Sequence, residues 1–316
     1  MSQTNTTQDK VLIPDEIDYL SFVKSQKDQA DLAHIKVIKC NSCGSTSSID
    51  NPNQPGECPH CGTPFVIGKV SEENIISPWG MVPFGIEPHK ARELMQAALK
   101  KRWFKPDSFK VNSLLGTHFQ AVYVPYWTYD CNMKLYYLGQ RGDEVSDGDT
   151  LRLFWTPVHG EINYFFDDIM VSASGKASNE VIRGLAPWEL QNLVPFKERL
   201  LNGVRVAKYE QTVEQGLKEA KDKIQEAIEL FVYRDIGGDQ QKIDNVNVRF
   251  DGITFKHVLM PVYMAGIQHN GKPYPLVVNG VTGKFNGKIP RSPGKIALFV
   301  AGLAAILAAL VYGLNL

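Results

Sequence analysis

Residues 116–127 read GTHFQAVYVPYW, and residues 252–263 read GITFKHVLMPVY. Both carry Gly, Phe, Val and Pro at one spacing: Gly116, Phe119, Val122 and Pro125 in the first, and Gly252, Phe255, Val258 and Pro261 in the second. Trp127 and Tyr263 then fall at equivalent places. Upstream, Val82-Pro83-Phe84 is matched by Val194-Pro195-Phe196. The order in each half is VPF, a helix, the spaced tract and a further strand. Ordered self-similarity of this kind marks an internal repeat. It predicts an α+β domain over residues 76–292, duplicated as helix plus antiparallel sheet, with a groove between its halves. The plainer alternative is two similar hairpins.

The helices follow from caps and periodicity. Pro88 to Arg102 is predicted helical: Pro88 suits a first turn, Ala91, Leu94, Met95, Ala98 and Leu99 share a face, and Pro106 stops it. From Val213 to Arg234, Thr212 and Gln215 have the spacing of a capping box, and Gly237-Gly238 close the segment. Its apolar stripe reads Val213, Leu217, Ala220, Ile224, Ala227 and Phe231. A shorter helix is expected from Pro14 to about Gln29, with Ile17, Leu20 and Val23 on one face, inside a polar segment 1–36. β-branched and aromatic runs predict strands at 119–127, 135–138, 151–155, 162–166, 246–250, 255–264 and 274–278.

Between the first segment and the repeat lie Cys40-Asn-Ser-Cys43-Gly44 and Cys58-Pro-His-Cys61-Gly62. A two-residue gap lets a tight turn aim both thiolates at one ion, and the following Gly tolerates the backbone of such a knuckle. The pattern C-x2-C-x14-C-x2-C predicts a zinc ribbon over residues 37–70 with Cys40, Cys43, Cys58 and Cys61 as ligands. The linker is one residue shorter than the usual range. An iron–sulfur centre is the rival that spacing leaves open, and two disulfides are the reading a cytosolic setting disfavours. Four thiolates fill a tetrahedral ion, so the zinc is structural rather than catalytic. His60, inside the second knuckle, is expected to face solvent. Cys131 stands alone in an aromatic stretch, as a core thiol would.

The chain ends in IALFVAGLAAILAALVYGL, 296–314, a run without a charge. At about 1.5 Å per residue it is close to the ~30 Å hydrocarbon core of a bilayer. It predicts a single transmembrane anchor within residues 295–316. Lys288, Arg291 and Lys295 precede it, which places the bulk of the chain on the cytoplasmic side of the inner membrane. Pro290, Pro293 and Gly294 form a stiff linker into it. No basic and apolar leader opens the sequence. Ala297, Ala301, Ala305, Ala309 and Gly313 recur every four residues, a small-residue stripe through which a second copy's helix can approach.

These features resemble a group of uncharacterised bacterial zinc-ribbon membrane proteins, often labelled primosomal-helicase-like or as carrying a transcription-factor-type zinc ribbon. The residues that carry the likeness are the paired Cys-x-x-Cys-Gly knuckles, the tract Val122-Tyr-Val-Pro125-Tyr126-Trp127, and Val278-Asn279-Gly280-Val281-Thr282-Gly283-Lys284. The likeness covers most of the chain from Cys40 onward. It implies zinc binding and membrane association. It does not bring a helicase motor: Gly175-Lys176, Gly283-Lys284 and Gly287-Lys288 all lack the upstream Gly and the following Ser or Thr of a phosphate loop.

The 316 residues hold 34 basic and 34 acidic side chains, and this zero net charge argues against a protein that coats nucleic acid. With 43% hydrophobic residues the chain is not wholly disordered. A local basic segment, Glu87 to Lys110, interleaves Trp103 and Phe104 with Lys100, Lys101, Arg102 and Lys105, which fit contact with nucleic acid or with anionic lipid. A solvated helix face is the bland reading. For catalysis the sequence offers only His159 with Glu161, half of a zinc-deaminase signature, and Asp167-Asp168, whose side chains diverge on an extended strand. No metalloprotease helix motif or nucleophile elbow occurs. The expectation is a membrane-tethered, non-enzymatic binding or adaptor module with the bilayer and a protein as partners. The alternative is a membrane-anchored accessory factor for nucleic acid.

Overall fold

The computed structural model describes residues 15–24, 32–49, 56–66, 70–109, 119–148, 150–197, 201, 204–270 and 272–314. The polar N-terminus through Pro14, Gln29, Pro55, Lys110, Gly116, His118 and Asn315–Leu316 lie outside the described residues. In chain order these form strand β1 (Ile17–Asp18), helix α1 (Tyr19–Lys24) and strands β2 (Leu32–Lys39), β3 (Thr46–Ser48), β4 (Val70–Ile76) and β5 (Gly80–Met81). Helix α2 (Pro88–Lys100), the long strands β6 (Phe119–Asp147) and β7 (Thr150–Ser172) and helix α3 (Lys176–Arg183) follow. Strands β8 (Val194–Pro195) and β9 (Arg205–Val206) lead to helix α4 (Val213–Ile236). Strands β10 (Gln240–His269), β11 (Lys272–Asn279) and β12 (Phe285–Gly287) and helix α5 (Pro293–Leu314) complete the chain.

The class is mixed α+β, with two sheets among the described residues. In the larger, β10 lies between β6 and β11, β7 extends the far side of β6, and β12 pairs with β11, all antiparallel. The only parallel contacts among the described residues are the short ones of β5 on β10 and β9 on β6. The repeated tracts lie side by side at the centre. Phe119 faces Ala265, Phe255 faces Tyr129, and Val124 faces Met260. This register lets the two tracts exchange places under a two-fold turn about the Val124–Met260 pair. The two residues before the first VPF pair antiparallel with the second, Gly80 opposite Pro195 and Met81 opposite Val194.

The helices are exchanged between the halves. Helix α2 precedes β6 but buries Ala91, Met95 and Leu99 against Tyr263, Ile267, Leu276 and Val278 of β10 and β11. Helix α4 precedes β10 but covers Trp127, Tyr129, Met133 and Leu135 of β6. Both halves of its capping box form: Gln215 N–H donates to Thr212 Oγ1 at 3.3 Å, and Thr212 N–H donates to Gln215 Oε1 at 3.0 Å. The buried stripe departs from expectation beyond Ile224, running through Ile228, Val232 and Ile236 rather than Ala227 and Phe231. A straight helix turns 3.6 residues per turn and drifts off a 3.5-residue seam. Each fully buried aliphatic side chain of this stripe contributes roughly 1.5–3 kcal/mol.

The strands are longer than their sequence runs. The pieces expected at 119–127 and 135–138 are one strand, as are those at 151–155 and 162–166, and those at 246–250 and 255–264. Where α4 packs on this ribbon, only one of its faces is covered. Polar residues occupy the other face and break the apolar runs without ending the strands. Helix α1 starts later than expected, at Tyr19, and its expected end near Gln29 lies outside the described residues. Ile17 pairs with Phe255 in the sheet, so Phe22 turns inward onto the Phe255 ring at 5.1 Å, while Leu20 and Val23 stay exposed. The Val278–Lys284 tract is a turn built on Asn279, which is fully buried and accepts hydrogen bonds from Val281 N–H (2.9 Å) and Thr282 N–H (3.1 Å). Gly283 completes it at φ +74°.

Helix α5 begins at Pro293, so Pro293 and Gly294 belong to its first turn rather than to a linker. It is long and apolar enough to cross a membrane, and the 293–310 stretch has no buried residue. The stripe residues Ala297, Ala301, Ala305 and Ala309 are all exposed.

Candidate metal centre

The smaller sheet runs β3-β2-β4 and spans residues 32–76, somewhat wider than the ribbon expected at 37–70. Two tight turns lie between its strands, one between β2 and β3 and one between β3 and β4, the latter closed by the Glu57–Pro64 bridge. In the first, Gly44 N–H donates to Cys40 O at 2.9 Å and Cys40 N–H to Ser45 O at 2.9 Å. In the second, Gly62 N–H donates to Cys58 O at 2.8 Å and Cys58 N–H to Thr63 O at 2.8 Å. Gly44 and Gly62 adopt φ +78° and +72°, a backbone other residues enter only with strain. The knuckles thus follow from Cys-x-x-Cys-Gly itself.

The four sulfurs of Cys40, Cys43, Cys58 and Cys61 lie within 4.8 Å of one another. Cys40 Sγ stands 3.6 Å from Cys61 Sγ, and Cys43 Sγ 3.6 Å from Cys58 Sγ. Disulfide sulfurs stand about 2.05 Å apart, and all four cysteines are unbonded. Sulfurs held about 2.3 Å from a tetrahedral ion stand about 3.8 Å from each other, so the cage fits a metal ion of that kind. Proton affinities inside it are uneven. Hydrogen bonds from Cys43 and Cys58 favour the Cys61 thiolate, while the contact with Cys43 holds the Cys58 thiol protonated. A cation bound among the four sulfurs would displace such protons and neutralise the thiolates.

The cage is seated on the larger sheet. Ser47 bridges to Ala207, Val206 N–H donates to Ser48 Oγ at 2.9 Å, and Lys208 pairs with Glu73. Arg205 donates to Glu57 O at 3.0 Å and lies over the Phe65 ring. Gly266 of β10 abuts the second knuckle: a Cβ there would sit 2.4 Å from the Cys61 carbonyl carbon and from Gly62 N. His60, within this knuckle, is buried at 4% exposure, where a solvent-facing loop position was expected. We expect Gly266→Ala to cost about 1–3 kcal/mol through this overlap and to speed metal loss to a chelator. Unchanged melting and metal retention would show that the knuckle is not seated there.

A second cluster was not legible in the sequence. Lys256 has a side chain only 7% exposed, with Nζ 2.8 Å from Glu16 Oε1, 2.8 Å from Asp168 Oδ1 and 3.5 Å from Asp130 Oδ2. Trp79 presents its ring to the ammonium. Asp167 and Asp168 do not diverge as expected: their carboxylates and that of Asp130 lie within 4.8 Å of one another. Asp168 has φ +52°, and its N–H donates to Asp130 Oδ1 at 2.6 Å. The cause is a double irregularity, with the β7 register slipping opposite Tyr129 and Cys131 and the β10 register slipping between Asp251 and Thr254. Burial, and then the hydrogen bond with Glu16, push Asp130 up to about 7. Burial would also raise Glu16, but hydrogen bonds from Asp130, Lys256 and Thr254 bring it down to about 2. Lys256 occupies the centre that a cation would take.

The other sequence candidates separate. Lys100, Lys101, Arg102 and Lys105 form the end of α2 and the turn after it, the first three exposed, beside the start of α5. His159 and Glu161 stand on the open face of β7 opposite Leu138 and Tyr136. Cys131 is buried, and burial pushes its thiol up to about 11. His257 is a core residue: Nδ1 lies 2.8 Å from Ile76 O, and burial pushes the ring down to about 4.

The fold and the site define a class: a mixed α+β chain with a four-cysteine cage that can hold a metal ion and an exposed apolar helix at its end. The chain is similar to the uncharacterised protein YdjG of Bacillus subtilis (strain 168), 28% identical over 242 residues, which is 72% of this chain and 68% of that protein. No protein-family model matches. No solved structure matches.

Proposed function

We propose that this is a membrane-tethered zinc-ribbon protein whose cytoplasmic part is a non-enzymatic binding module. The cage is read as structural zinc, because four thiolates leave a tetrahedral ion no open position. Helix α5 is read as the anchor, and the basic residues before it place the domain on the cytoplasmic side. The matched tracts and their two-fold register support an internal duplication, as does the exchange of helices. The resemblance to bacterial zinc-ribbon membrane proteins agrees with this reading.

The observation that carries the binding role is the open face of the β6–β7–β10 ribbon. Opposite α4 it exposes Tyr136 (51%), Leu138 (55%) and Phe165 (55%), and further out Leu151. A monomer has no reason to align aromatic and aliphatic side chains on a polar-rimmed sheet, whereas a protein partner does. Asn245, Asn247, His159 and Glu161 supply polar groups beside Tyr136 and Leu138 on that face.

The test is purification of the full-length protein in mild detergent, with and without nuclease, beside a Tyr136→Ser/Leu138→Ser variant. Exposed sites tolerate such changes within about 0.5 kcal/mol, so the variant folds and carries metal. A defined partner that survives nuclease and is lost from the variant is the expected result. Proteins that disappear on nuclease treatment, with nucleic acid recovered, would overturn it in favour of the accessory-factor alternative. Metal analysis of the same preparation should give one zinc per chain; iron would replace the zinc assignment.

A further inference from the structure

The segment after α2 is tied to the first turns of α5. Ser292 N–H donates to Phe104 O at 2.7 Å. Lys295 Nζ donates to Lys105 O at 3.1 Å and to Asp107 Oδ1 at 2.5 Å. The Phe104 ring meets Phe299 edge-on at 5.5 Å. Trp103 is 72% exposed, the most exposed large apolar side chain described outside α5. With Phe104, Lys295, Leu298 and Phe299 it lines an open hollow whose walls are almost wholly apolar. Lys100, Lys101 and Arg102 are exposed around it.

We propose that residues 100–105 form a second membrane contact, with Trp103 and Phe104 in the headgroup layer and the flanking cations on anionic phospholipid. The proposal rests on the reading of α5 as a membrane span. Phe299 lies three residues beyond Ile296, where the uncharged run begins, so at 1.5 Å per residue it sits about 5 Å further along the helix axis. With the uncharged run of α5 beginning at the membrane surface, the hydrogen bonds of Ser292 and Lys295 and the Phe104–Phe299 contact hold Trp103 and Phe104 beside the boundary between headgroups and acyl chains. Indole is the side chain most at home there, with an apolar body and a polar N–H. Basic side chains one turn away face the negative surface of the cytoplasmic leaflet. Lipid is favoured over nucleic acid because a polynucleotide could reach these cations only by entering the gap between them and the bilayer. The domain is thereby held at a fixed tilt on the membrane rather than swinging on a leash.

Full-length protein is reconstituted into phosphatidylcholine/phosphatidylglycerol vesicles whose acyl chains are brominated near the headgroup, and tryptophan quenching is compared with Trp103→Phe. Trp79, Trp127, Trp155 and Trp188 remain as internal references. The expected result is strong quenching in the parent and loss of most of it in Trp103→Phe, with both proteins floating with vesicles after alkaline wash. A Lys100→Glu/Lys101→Glu/Arg102→Glu variant should show weaker quenching in anionic vesicles and no change in purely zwitterionic ones. Flotation with quenching that Trp103→Phe does not alter overturns the proposal and leaves the anchor reading standing. Failure to float overturns both. Release of quenching by an added oligonucleotide would assign the cations to nucleic acid and overturn the lipid assignment.

Discussion

Replacing Cys58 by Ser should abolish stoichiometric metal binding and unfold residues 32–76. The apparent binding free energy of a structural zinc in a small domain is about 10–16 kcal/mol near neutral pH, and much of that is folding free energy. The cluster around the cage consists of Ile38, Ile49 and Phe65 with three of the cysteines, too little to hold a sheet without the ion. Metal content should fall from one per chain to none, and limited proteolysis should then cut between β2 and β4. Cys131→Ser, which changes a core thiol on β6, should leave metal content untouched. Acid should release the ion as the thiolates take up protons. A Cys58→Ser protein that retains its metal would refute the four-thiolate assignment.

Lys256→Met should destabilise the larger sheet by about 3–5 kcal/mol, the usual consequence of removing one partner from a buried charge cluster. Methionine fills the space but leaves Glu16, Asp130 and Asp168 facing one another. The pair most affected is β1 on β10, since Glu16 precedes β1 and is held by Lys256 and by Thr254 Oγ1 at 2.5 Å. Denaturant unfolding of the purified protein measures the loss; a change below about 1 kcal/mol, the range of exposed pairs, would show that the cluster is solvated. The pH dependence has a definite sign. Asp130 is raised from 3.8 to about 7, so its contribution is complete below about 4 and is lost as pH rises through 7. Glu16 is lowered from 4.5 to about 2, so its contribution is present above 4.5 and lost as pH falls towards 2. Asp130→Asn, which mimics the protonated form, should flatten the decline between pH 4 and 7 while keeping the acid limb. An unchanged profile in that variant would assign the decline to another group.

What could be read in the chain was whatever is local. Each Cys-x-x-Cys-Gly builds its own turn, so the metal cage was visible before any fold was known. Thr212, Gln215 and Gly237 mark both ends of α4 by hydrogen bonds that span only a few residues. The long ribbon was legible in pieces, because strands open on one face alternate in ways that polar positions such as Asn132 and Lys134 interrupt. The Lys256 cluster joins side chains as far apart as Glu16 and Lys256, and it depends on a left-handed Asp168 that no propensity foretells. Helix α3 escaped for another reason: it is two turns long, with Lys176, Ser178, Asn179 and Glu180 among its eight residues, and its seat of Val181 and Ile182 is supplied by the sheet.

The exchange of α2 and α4 between the halves has a kinetic consequence. A nascent chain that has reached Ser172 has made α2 but not the strands that receive it, and has made β6 and β7 but not the helix that covers them. Neither half is a foldable unit: the aromatic face of β6 stays bare until α4 has emerged, and α2 has no complete seat until β11 has. Folding is therefore a late, single event governed by contacts between distant parts of the chain, slow in the manner of other high-contact-order folds. Until then the chain is open to association with itself or with chaperones.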